Sequence, residues 1–231
     1  MLLQLTADFL YCPLGGYLAS LHRALSSIPP DAFGDSAEVL FVPLLAPKDY
    51  GKAKSGQAVA YHAMASRAEA TVLANKSVQA ANDPRELTGK FGTRSSCQII
   101  FCDDFIGTGD TADEALQAYR QEFRAAGDQV AVVCLVAQRD GWNRVKAQAP
   151  IYCDTIRSKG ITDAEAFEDP AVAKELMVQI EARLGVAVDY RFGYKQSEAL
   201  VSMERTPNNT FPVFWSTDKV DGAPWPAPFP R

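Results

Sequence analysis

The residues best suited to chemistry lie in QIIFCDDFIGTGDTADEAL, residues 98–116. An apolar run ends there at Phe101 and Cys102, Asp103 and Asp104 follow, and a short loop of glycine and threonine leads into a helical pattern. A strand, loop and helix in this order gather backbone N–H groups and a helix N-terminus in one place, which suits an anion. The paired carboxylates need a different partner, either hydroxyl groups or a metal ion.

The same stretch has other possible interpretations, which determine how strongly it indicates an anion site. Aspartates at a strand end, followed by glycine and threonine, also occur in a plain strand-to-helix turn with a threonine cap. A Walker-type nucleotide loop is excluded, because no Gly-Lys-Ser/Thr triplet follows the glycines. A phosphatase of the Asp-x-Asp-Gly-Thr kind is disfavoured, because the two aspartates here are adjacent.

The bulk properties limit the class of protein. With 231 residues, 47% of them apolar, one large α/β domain is expected. The net charge of −5 gives no reason to expect nucleic-acid binding. The five cysteines have no CxxC spacing and indicate a reducing compartment. The apolar N-terminal stretch lacks a basic start, and no run reaches the ~18 apolar residues of a membrane helix. These features predict a cytoplasmic protein without membrane contact.

Apolar runs and helical patterns alternate along the chain, which predicts a mostly parallel sheet. Residues 1–140 are expected to form the core, and residues 141–231 its remaining elements and a C-terminal hood or tail, within the same compact domain. The polar segment 76–96 is long for an ordinary loop, so we expect it to be mobile or functional. The predicted helices span 14–27, 55–75, 112–126 and 171–184, and the predicted strands span 38–45, 97–102 and 129–136.

Residues 99–111, IIFCDDFIGTGDT, resemble the signature of the type I phosphoribosyltransferases. That signature is an apolar strand, two acidic residues, two variable residues and a small-Thr-Gly-x-Thr loop. The match covers the whole motif and its strand-helix setting. The resemblance implies a central parallel sheet with helices on both faces, and a variable hood that recognises the second substrate. It also implies phosphoribosyl pyrophosphate as ligand and Mg²⁺ as cofactor.

The resemblance implies that Asp103 and Asp104 are the catalytic pair. They are placed to accept hydrogen bonds from the ribose 2′- and 3′-hydroxyls and to hold Mg²⁺, directly or through water. As pyrophosphate leaves, positive charge builds on the ribose ring, and nearby carboxylates stabilise it.

The loop after the pair is expected to bind the 5′-phosphate. Gly107 and Gly109 leave room for a close approach to backbone N–H groups. Thr108 and Thr111 add hydroxyl donors, and the following helix favours negative charge. Asp110 is an acid inside this loop, and we expect its side chain to point outward. The predicted substrate-binding residues of the motif are Phe105, Ile106, Gly107, Thr108, Gly109, Asp110 and Thr111.

The segment 47–56 resembles the family's pyrophosphate loop in its position between a buried strand and a helix. Ser55 and Gly56 offer N–H groups and Lys54 a positive charge, although a solvated lysine loop remains a close alternative. The segment 76–96 stands where the family has a flexible catalytic loop. Its cations are Lys76, Arg85, Lys90 and Arg94.

Positive charge is concentrated around these two segments. From residue 48 to 94 there are eight Lys and Arg against four Asp and Glu, a local charge of +4 in an acidic protein. Such an asymmetry is expected of a polyanion site, and also of a charged surface loop.

The C-terminal stretches RTPNNTFPVFW (205–215) and APWPAPFPR (223–231) are rich in proline and aromatic residues. Together with the motif, TPNNT-x-P-x-FW resembles phosphoribosyltransferase-like proteins found beside bacterial conflict and defence genes, including some retron systems. This resemblance implies an effector with a regulatory protein or ribonucleoprotein partner. The alternative is a tail that packs as core and covers the sheet edge.

Three functions remain open at this stage. One is a phosphoribosyltransferase, or a hydrolase-like variant, that acts as a defence effector on a nucleotide-related substrate. Another is a salvage or biosynthetic phosphoribosyltransferase. The last is a non-catalytic module that senses nucleotides. The intact aspartate pair favours catalysis, because a pure phosphate binder does not need both carboxylates. Self-association is also left open.

Overall fold

The computed structural model describes residues 1–34, 36–66, 70–94, 96–220 and 222–231. The chain forms two compact units. The first, here called the sheet unit, comprises Gly16–Ala137 and Gly141–Ile156. The second, here called the terminal unit, comprises Met1–Gly15, Gln138–Asp140 and Arg157–Arg231. Within the described ranges, no helix combines the length and apolar character needed to cross a membrane.

The helices and strands alternate through the middle of the chain. The helices are α1 Leu2–Ala7, α2 Tyr17–Ser26, α3 Ser55–Ala65, α4 Asp110–Ala118, α5 Arg139–Lys146 and α6 Pro170–Arg183. The strands are β1 Leu10–Tyr11, β2 Glu38–Pro43, β3 Ser77–Ala80, β4 Gln98–Ile106, β5 Gln129–Gln138, β6 Ile151–Arg157, β7 Val201–Ser202, β8 Lys219–Val220 and β9 Ala223–Pro224.

A five-stranded sheet with the order β3-β2-β4-β5-β6 organises the sheet unit. Strand β2 pairs in parallel with β3 and with β4, and β4 pairs in parallel with β5. A strand that is buried on both faces has a continuous apolar sequence, as β2 and the first half of β4 do. The predicted α/β class with a mostly parallel sheet is confirmed, and helices flank the sheet. The predicted C-terminal hood and the domain boundary at residue 140 stay predictions.

The core of the sheet unit combines large aromatic and aliphatic side chains with alanines. Phe41, Phe101 and Tyr119 are among its largest fully buried residues. The Phe101 and Tyr119 rings meet edge to face at 77°, with centroids 5.4 Å apart. Each such buried side chain contributes roughly 1.5–3 kcal/mol of hydrophobic stabilisation. This packing fixes β4 against the chain that follows α4.

Strand β4 is longer than its apolar run predicts. The prediction that the strand stops at Cys102 is wrong, because β4 continues to Ile106. Strand β5 runs beside it and pairs Asp103 with Cys134 and Ile106 with Ala137. Backbone pairing extends the strand, although the two aspartates interrupt its apolar run. The two aspartates therefore lie inside the strand and not after it.

Three other expectations need correction. The segment 76–96 is not a plain loop, because its residues 77–80 form β3, an edge strand of the sheet. The helix predicted over 55–75 ends at Ala65 as α3, and residues 67–69 lie outside the described part of the chain. The helix predicted over 112–126 begins earlier, at Asp110, and passes into a π-helical turn over Tyr119–Phe123. Helix α5 and strand β6 were not predicted.

The terminal unit has a hydrophobic cluster of its own. Strand β1 pairs in parallel with β7, and α6 closely matches the helix predicted over 171–184. Helix α6 begins with a cap, since Asp169 accepts a hydrogen bond from the Ala171 N–H at 2.9 Å. The cluster includes Leu5, Met177, Leu200, Phe211 and Phe214.

One ion pair inside the sheet unit is almost completely buried. The Arg94 and Asp128 side chains are 5% and 0% exposed, and their closest N–O distance is 2.7 Å. Asp128 also accepts hydrogen bonds from the Tyr119 hydroxyl at 2.8 Å and from the Ala125 N–H at 3.0 Å. Arg94 donates to the Leu87 carbonyl as well. Arg94 is therefore part of the core and is not an exposed cation of segment 76–96.

We expect Arg94→Met to lower the free energy of unfolding by about 3–5 kcal/mol, because the Asp128 charge stays buried without its cation. Urea denaturation of the purified protein measures this. Arg85→Met is the matched control, because Arg85 lies in the same segment and pairs with Asp83 at 2.8 Å while its side chain is 58% exposed. That control should change the free energy of unfolding little, because an exposed ion pair contributes little to stability. Equal losses in both variants would contradict a structural role specific to Arg94.

Candidate functional site

The two aspartates of β4 meet the starts of two helices. Asp103 Oδ1 accepts a hydrogen bond from the Ser55 hydroxyl, at the first residue of α3, at 2.8 Å. It also accepts one from the Asp104 backbone N–H at 2.9 Å. Asp104 Oδ2 accepts a hydrogen bond from the hydroxyl of Tyr17, the first residue of α2, at 2.7 Å. Each carboxylate thus has a fixed orientation at the carboxyl end of β4.

Burial and the neighbouring Asp104 charge disturb the ionisation of Asp103. Burial raises the pKa of the Asp103 carboxyl well above its usual range, and the neighbouring Asp104 charge adds to that rise. The hydrogen bond from Ser55 acts in the opposite direction but does not cancel it. A pair of carboxylates in this state is stabilised by hydroxyl donors or by a cation.

The loop between β4 and α4 is short and is shaped by glycine. Gly109 has a φ of +83°, in the left-handed region, and immediately precedes α4. Its carbonyl accepts the Asp113 N–H at 2.9 Å, which begins the helical hydrogen-bond pattern. Gly107 and Thr108 are partly exposed, and Thr111 is exposed on the first turn. The predicted binding residues Phe105 and Ile106 belong to β4, with Phe105 partly buried and Ile106 buried.

The expectation that Asp110 points outward is wrong. Its carboxylate turns back to the loop and accepts a hydrogen bond from the Thr108 hydroxyl at 2.9 Å. Arg144 of α5 pairs with the same carboxylate at 2.6 Å and also pairs with Asp113. A cation beside the loop thus offsets an acid inside it. The Arg144 side chain remains 46% exposed.

Helix α5 lies directly against the loop. A Cβ atom at Gly141 would clash with the Gly107 carbonyl oxygen, and one at Gly109 would come within 3.3 Å of the Arg144 side chain. Gly141 and Arg144 are functional candidates that the sequence interpretation missed. The available signal was a glycine three residues before an arginine in RDGWNR, which is weak evidence without the fold.

The N-terminus of α3 also packs tightly on β4. A Cβ atom at Gly56 would lie 2.7 Å from the Cys102 carbonyl oxygen, so glycine is needed for this approach. Ser55 is thereby held beside Asp103. Lys54 does not stand free, because its ammonium group lies 3.3 Å from the Asp49 carboxylate. The hydrogen bond from Lys52 lowers the pKa of Asp49. Partial burial of Asp49 opposes this change, but the Lys54 charge adds to it, and the pKa stays below its usual value.

Other cations predicted to face a polyanion have partners elsewhere. Lys76 donates to the Ser36 carbonyl at 2.7 Å, and Arg85 pairs with Asp83. The Lys90 ammonium lies 4.7 Å from the centre of the Phe91 ring. With Arg94 buried, the structure brings none of these four side chains to the aspartate pair through a described contact.

The oxygen donors of the pair fit a magnesium ion only in part. Asp103 and Asp104 provide hard carboxylate oxygens, which Mg²⁺ prefers. Among the described residues there is no group of three or more His, Cys, Asp and Glu side chains that could hold a metal. Two carboxylates suffice where water and ligand phosphate oxygens complete the coordination, as is usual for Mg²⁺. The residues present therefore fit a metal that arrives with a phosphorylated ligand.

A parallel α/β sheet with carboxylates and a glycine loop at the carboxyl end of a strand defines a class of α/β proteins whose ligand sites lie at that edge of the sheet. Within this class, the chain belongs to the PRTase-CE family, whose model matches residues 21–231. The resemblance to phosphoribosyltransferases is thereby confirmed. No protein of curated function matches the sequence.

Solved structures show a loose likeness. An orotate phosphoribosyltransferase from Aeropyrum pernix is 14% identical with a TM-score of 0.39, covering 62% of this chain and 71% of that chain. A hypothetical protein from Neisseria gonorrhoeae with bound ppGpp is 10% identical with a TM-score of 0.41, covering 73% and 97%. The protein TT1426 from Thermus thermophilus is 15% identical with a TM-score of 0.40, covering 71% and 89%.

We expect Asp103→Asn to stabilise the folded protein at neutral pH. The raised pKa means that the folded state resists ionisation of Asp103, so wild-type stability falls as pH rises above the unfolded value of about 3.9. Asparagine removes that penalty, and the gain should vanish at pH values where the carboxyl is protonated in both states. Urea denaturation at a series of pH values, from about 2.5 to about 8, measures the difference.

The matched control is Asp154→Asn in the same unit. Burial opposes ionisation of Asp154, but hydrogen bonds from Arg23 and Ser20 hold its pKa below the usual range. The Arg23 contact is 2.6 Å long. This variant should lose stability at neutral pH and recover toward wild type as pH falls through the lowered pKa. The same sign for both variants would contradict the assigned environments.

Proposed function

We propose that the protein binds phosphoribosyl pyrophosphate or a nucleoside 5′-phosphate at the aspartate pair and the 107–109 loop, and that it transfers the phosphoribosyl group. One observation carries the proposal. The Ser55 hydroxyl at the start of α3 lies 2.8 Å from Asp103, and β4 leads directly into the glycine loop that opens α4. Two helix starts and two carboxylates are thus gathered at one edge of one sheet.

The chain's own groups divide the work as follows. Backbone N–H groups of the loop and the start of α4 bind the 5′-phosphate. Asp103 and Asp104 accept hydrogen bonds from the ribose hydroxyls, and Ser55 and Tyr17 keep the carboxylates oriented. As the bond from the ribose to pyrophosphate breaks and an acceptor attacks the same carbon, the carboxylates stabilise the positive charge on the ring. The N–H groups at the start of α3 are placed for the departing pyrophosphate.

Magnesium belongs to this proposal. Asp103 and Asp104 would hold it, directly or through water, and the ion would supply positive charge to the pyrophosphate oxygens. The cation would also relieve the repulsion that raises the Asp103 pKa.

A nucleotide-sensing module is the second candidate, and one observation favours it. The Thr108 hydroxyl already donates to Asp110 within the loop, which leaves one fewer donor for a phosphate. A salvage or biosynthetic phosphoribosyltransferase remains a third candidate, on the same site.

We extend the proposal to an effector role in bacterial anti-phage defence of the retron type, with a regulatory protein or ribonucleoprotein partner. The support for this part is the resemblance of residues 205–215 to proteins of such systems. In that setting the activity of the aspartate pair would appear as toxicity in cells that lack the restraining partner.

Replacing both aspartates with asparagine separates catalysis from binding. Asp103→Asn with Asp104→Asn keeps side-chain size and removes the negative charge. Calorimetry with phosphoribosyl pyrophosphate and Mg²⁺ should show binding largely retained. Pyrophosphate release, or toxicity in cells, should fall by ~10²-fold or more, because the charge matters most in the transition state. Full activity of this variant would mean that the protein is a sensor on a transferase fold.

Two further variants complete that experiment. Gly109→Val should abolish binding, because valine is strained at a φ of +83° and its Cβ would crowd Arg144. Asp31→Asn with Glu38→Gln is the charge-matched control, since both carboxylates are exposed and Glu38 lies at the amino end of β2. This control should keep both binding and turnover. Folded wild-type protein that binds neither phosphoribosyl pyrophosphate nor a nucleoside 5′-phosphate would overturn the proposal.

The Arg144–Asp110 pair allows a test of how the loop tolerates an acid. Arg144→Gln should weaken phosphoribosyl pyrophosphate binding about tenfold, or ~1.4 kcal/mol, because the Asp110 charge is no longer offset beside the phosphate. Adding Asp110→Asn should restore affinity if Arg144 acts by neutralising that carboxylate. Calorimetry on the single and double variants measures both effects. A double variant as weak as Arg144→Gln alone would instead show that Arg144 contacts the ligand.

A further inference from the structure

The terminal unit contains a cavity that the proposed function does not use. Its volume is about 420 Å³. That volume lies within the range of sites for small ligands. The residues that line it are Arg205, Trp215, Ser216, Thr217, Asp218 and Arg231. It therefore brings together residues of the two C-terminal stretches, 205–215 and 223–231, which lie outside the phosphate loop and the aspartate pair.

Two hydrogen bonds of Phe229, one accepted and one donated, bring these stretches together. The Thr206 hydroxyl donates to the Phe229 carbonyl at 3.0 Å, and the Phe229 N–H donates to the Phe214 carbonyl at 3.0 Å. The Phe229 ring also stacks on Phe9, with centroids 4.6 Å apart. Arg205 directly precedes Thr206, and Arg231 follows Phe229 by two residues. The fold thus fixes the two arginines on the same cavity.

An anchored indole forms part of the wall. Trp215 Nε1 donates to the Thr210 carbonyl at 2.7 Å, which holds the ring in place. The Arg231 guanidinium carbon lies 5.9 Å from the centre of that ring. An arginine beside an aromatic face retains its planar donors for a ligand.

The two guanidinium groups influence each other. Burial lowers the pKa of Arg231, and the nearby Arg205 charge lowers it further. In the described ranges of the chain, neither arginine forms an ion pair with a carboxylate. Asp218 also lines the cavity, and its carboxylate accepts the Ser216 hydroxyl at 2.8 Å. Two adjacent guanidinium groups with one acid at the wall favour an anion between them.

We propose that this cavity binds a phosphate monoester. A guanidinium fork binds phosphate oxygens in pairs, and a phosphate has three free oxygens to engage both arginines and the Thr217 hydroxyl together. Its charge of about −1.5 to −2 near neutral pH matches two guanidinium groups better than a carboxylate does. The indole of Trp215 offers an aromatic surface beside the phosphate for the organic part of the ester. The site is independent of the proposed transferase activity.

Hydrogen exchange with uridine 5′-monophosphate as the probe tests this site in the intact protein. We expect slower exchange over residues 205–206 and 215–218 when the probe is present, and no change with uridine, which lacks the phosphate. Arg205→Gln with Arg231→Gln should remove this protection and raise the dissociation constant at this site tenfold or more, on the scale of lost charge-assisted contacts. Because exchange is read by segment, any protection near Gly107–Gly109 reports the other site separately.

The control removes two positive charges elsewhere in the same unit. Arg139→Gln with Lys159→Gln should leave the protection intact, since Arg139 is exposed and Lys159 pairs with the exposed Asp140 at 3.2 Å. No protection at 205–206 and 215–218, or protection that survives loss of both arginines, would overturn the proposal. Equal protection by uridine would overturn it in favour of aromatic binding. Protection by inorganic phosphate without protection by the ester would overturn it in favour of free phosphate.

Discussion

The repulsion between two carboxylates at the end of one strand is the constraint on which the candidate site depends. Asp103 and Asp104 occupy consecutive positions of β4, and burial together with the neighbouring Asp104 charge makes the Asp103 charge costly. Hydroxyl groups from the first residues of two helices, Ser55 of α3 and Tyr17 of α2, donate hydrogen bonds to these carboxylates. Since each donor must reach a fixed oxygen, both helix starts are tied to this edge of the sheet. The Gly56 contact with the Cys102 carbonyl shows how close that approach is.

The glycine loop depends on a second charge balance. The dipole of α4 stabilises the Asp110 carboxylate at its first turn. The same negative charge disfavours the binding of an anion in the loop. Arg144 resolves part of this conflict from α5, a helix that approaches closely because Gly141 has no side chain. The same arginine also pairs with Asp113, so one guanidinium offsets two carboxylates of the first turn of α4. Helix α5 is therefore part of the candidate site, although its sequence contains none of the motif.

Features set by interactions between neighbouring residues could be predicted from the sequence, and features set by contacts between distant residues could not. The sheet class and helix α6 could be predicted, because continuous apolar runs and a capped helical pattern act over neighbouring residues. The length of β4 could not, because its pairing with β5 over Asp103 depends on a strand that lies about 30 residues away in the chain. Arg144 was missed for a similar reason, since its contact with Asp110 joins separate elements. Polar edge strands such as β3 carry too short an apolar pattern to be recognised.

The partners of the cations in segment 48–94 explain why the proposed function includes a metal. That segment is basic in sequence, yet its lysines and arginines are largely committed within the protein: Lys54 to Asp49, Arg85 to Asp83 and Arg94 to Asp128. Positive potential at the site therefore comes mainly from backbone N–H groups and helix starts, which contribute about half a charge each. A pyrophosphate group needs more than this beside two carboxylates. In the proposed function a divalent cation would supply the remainder and serve both partners, because carboxylate and phosphate oxygens are its preferred ligands.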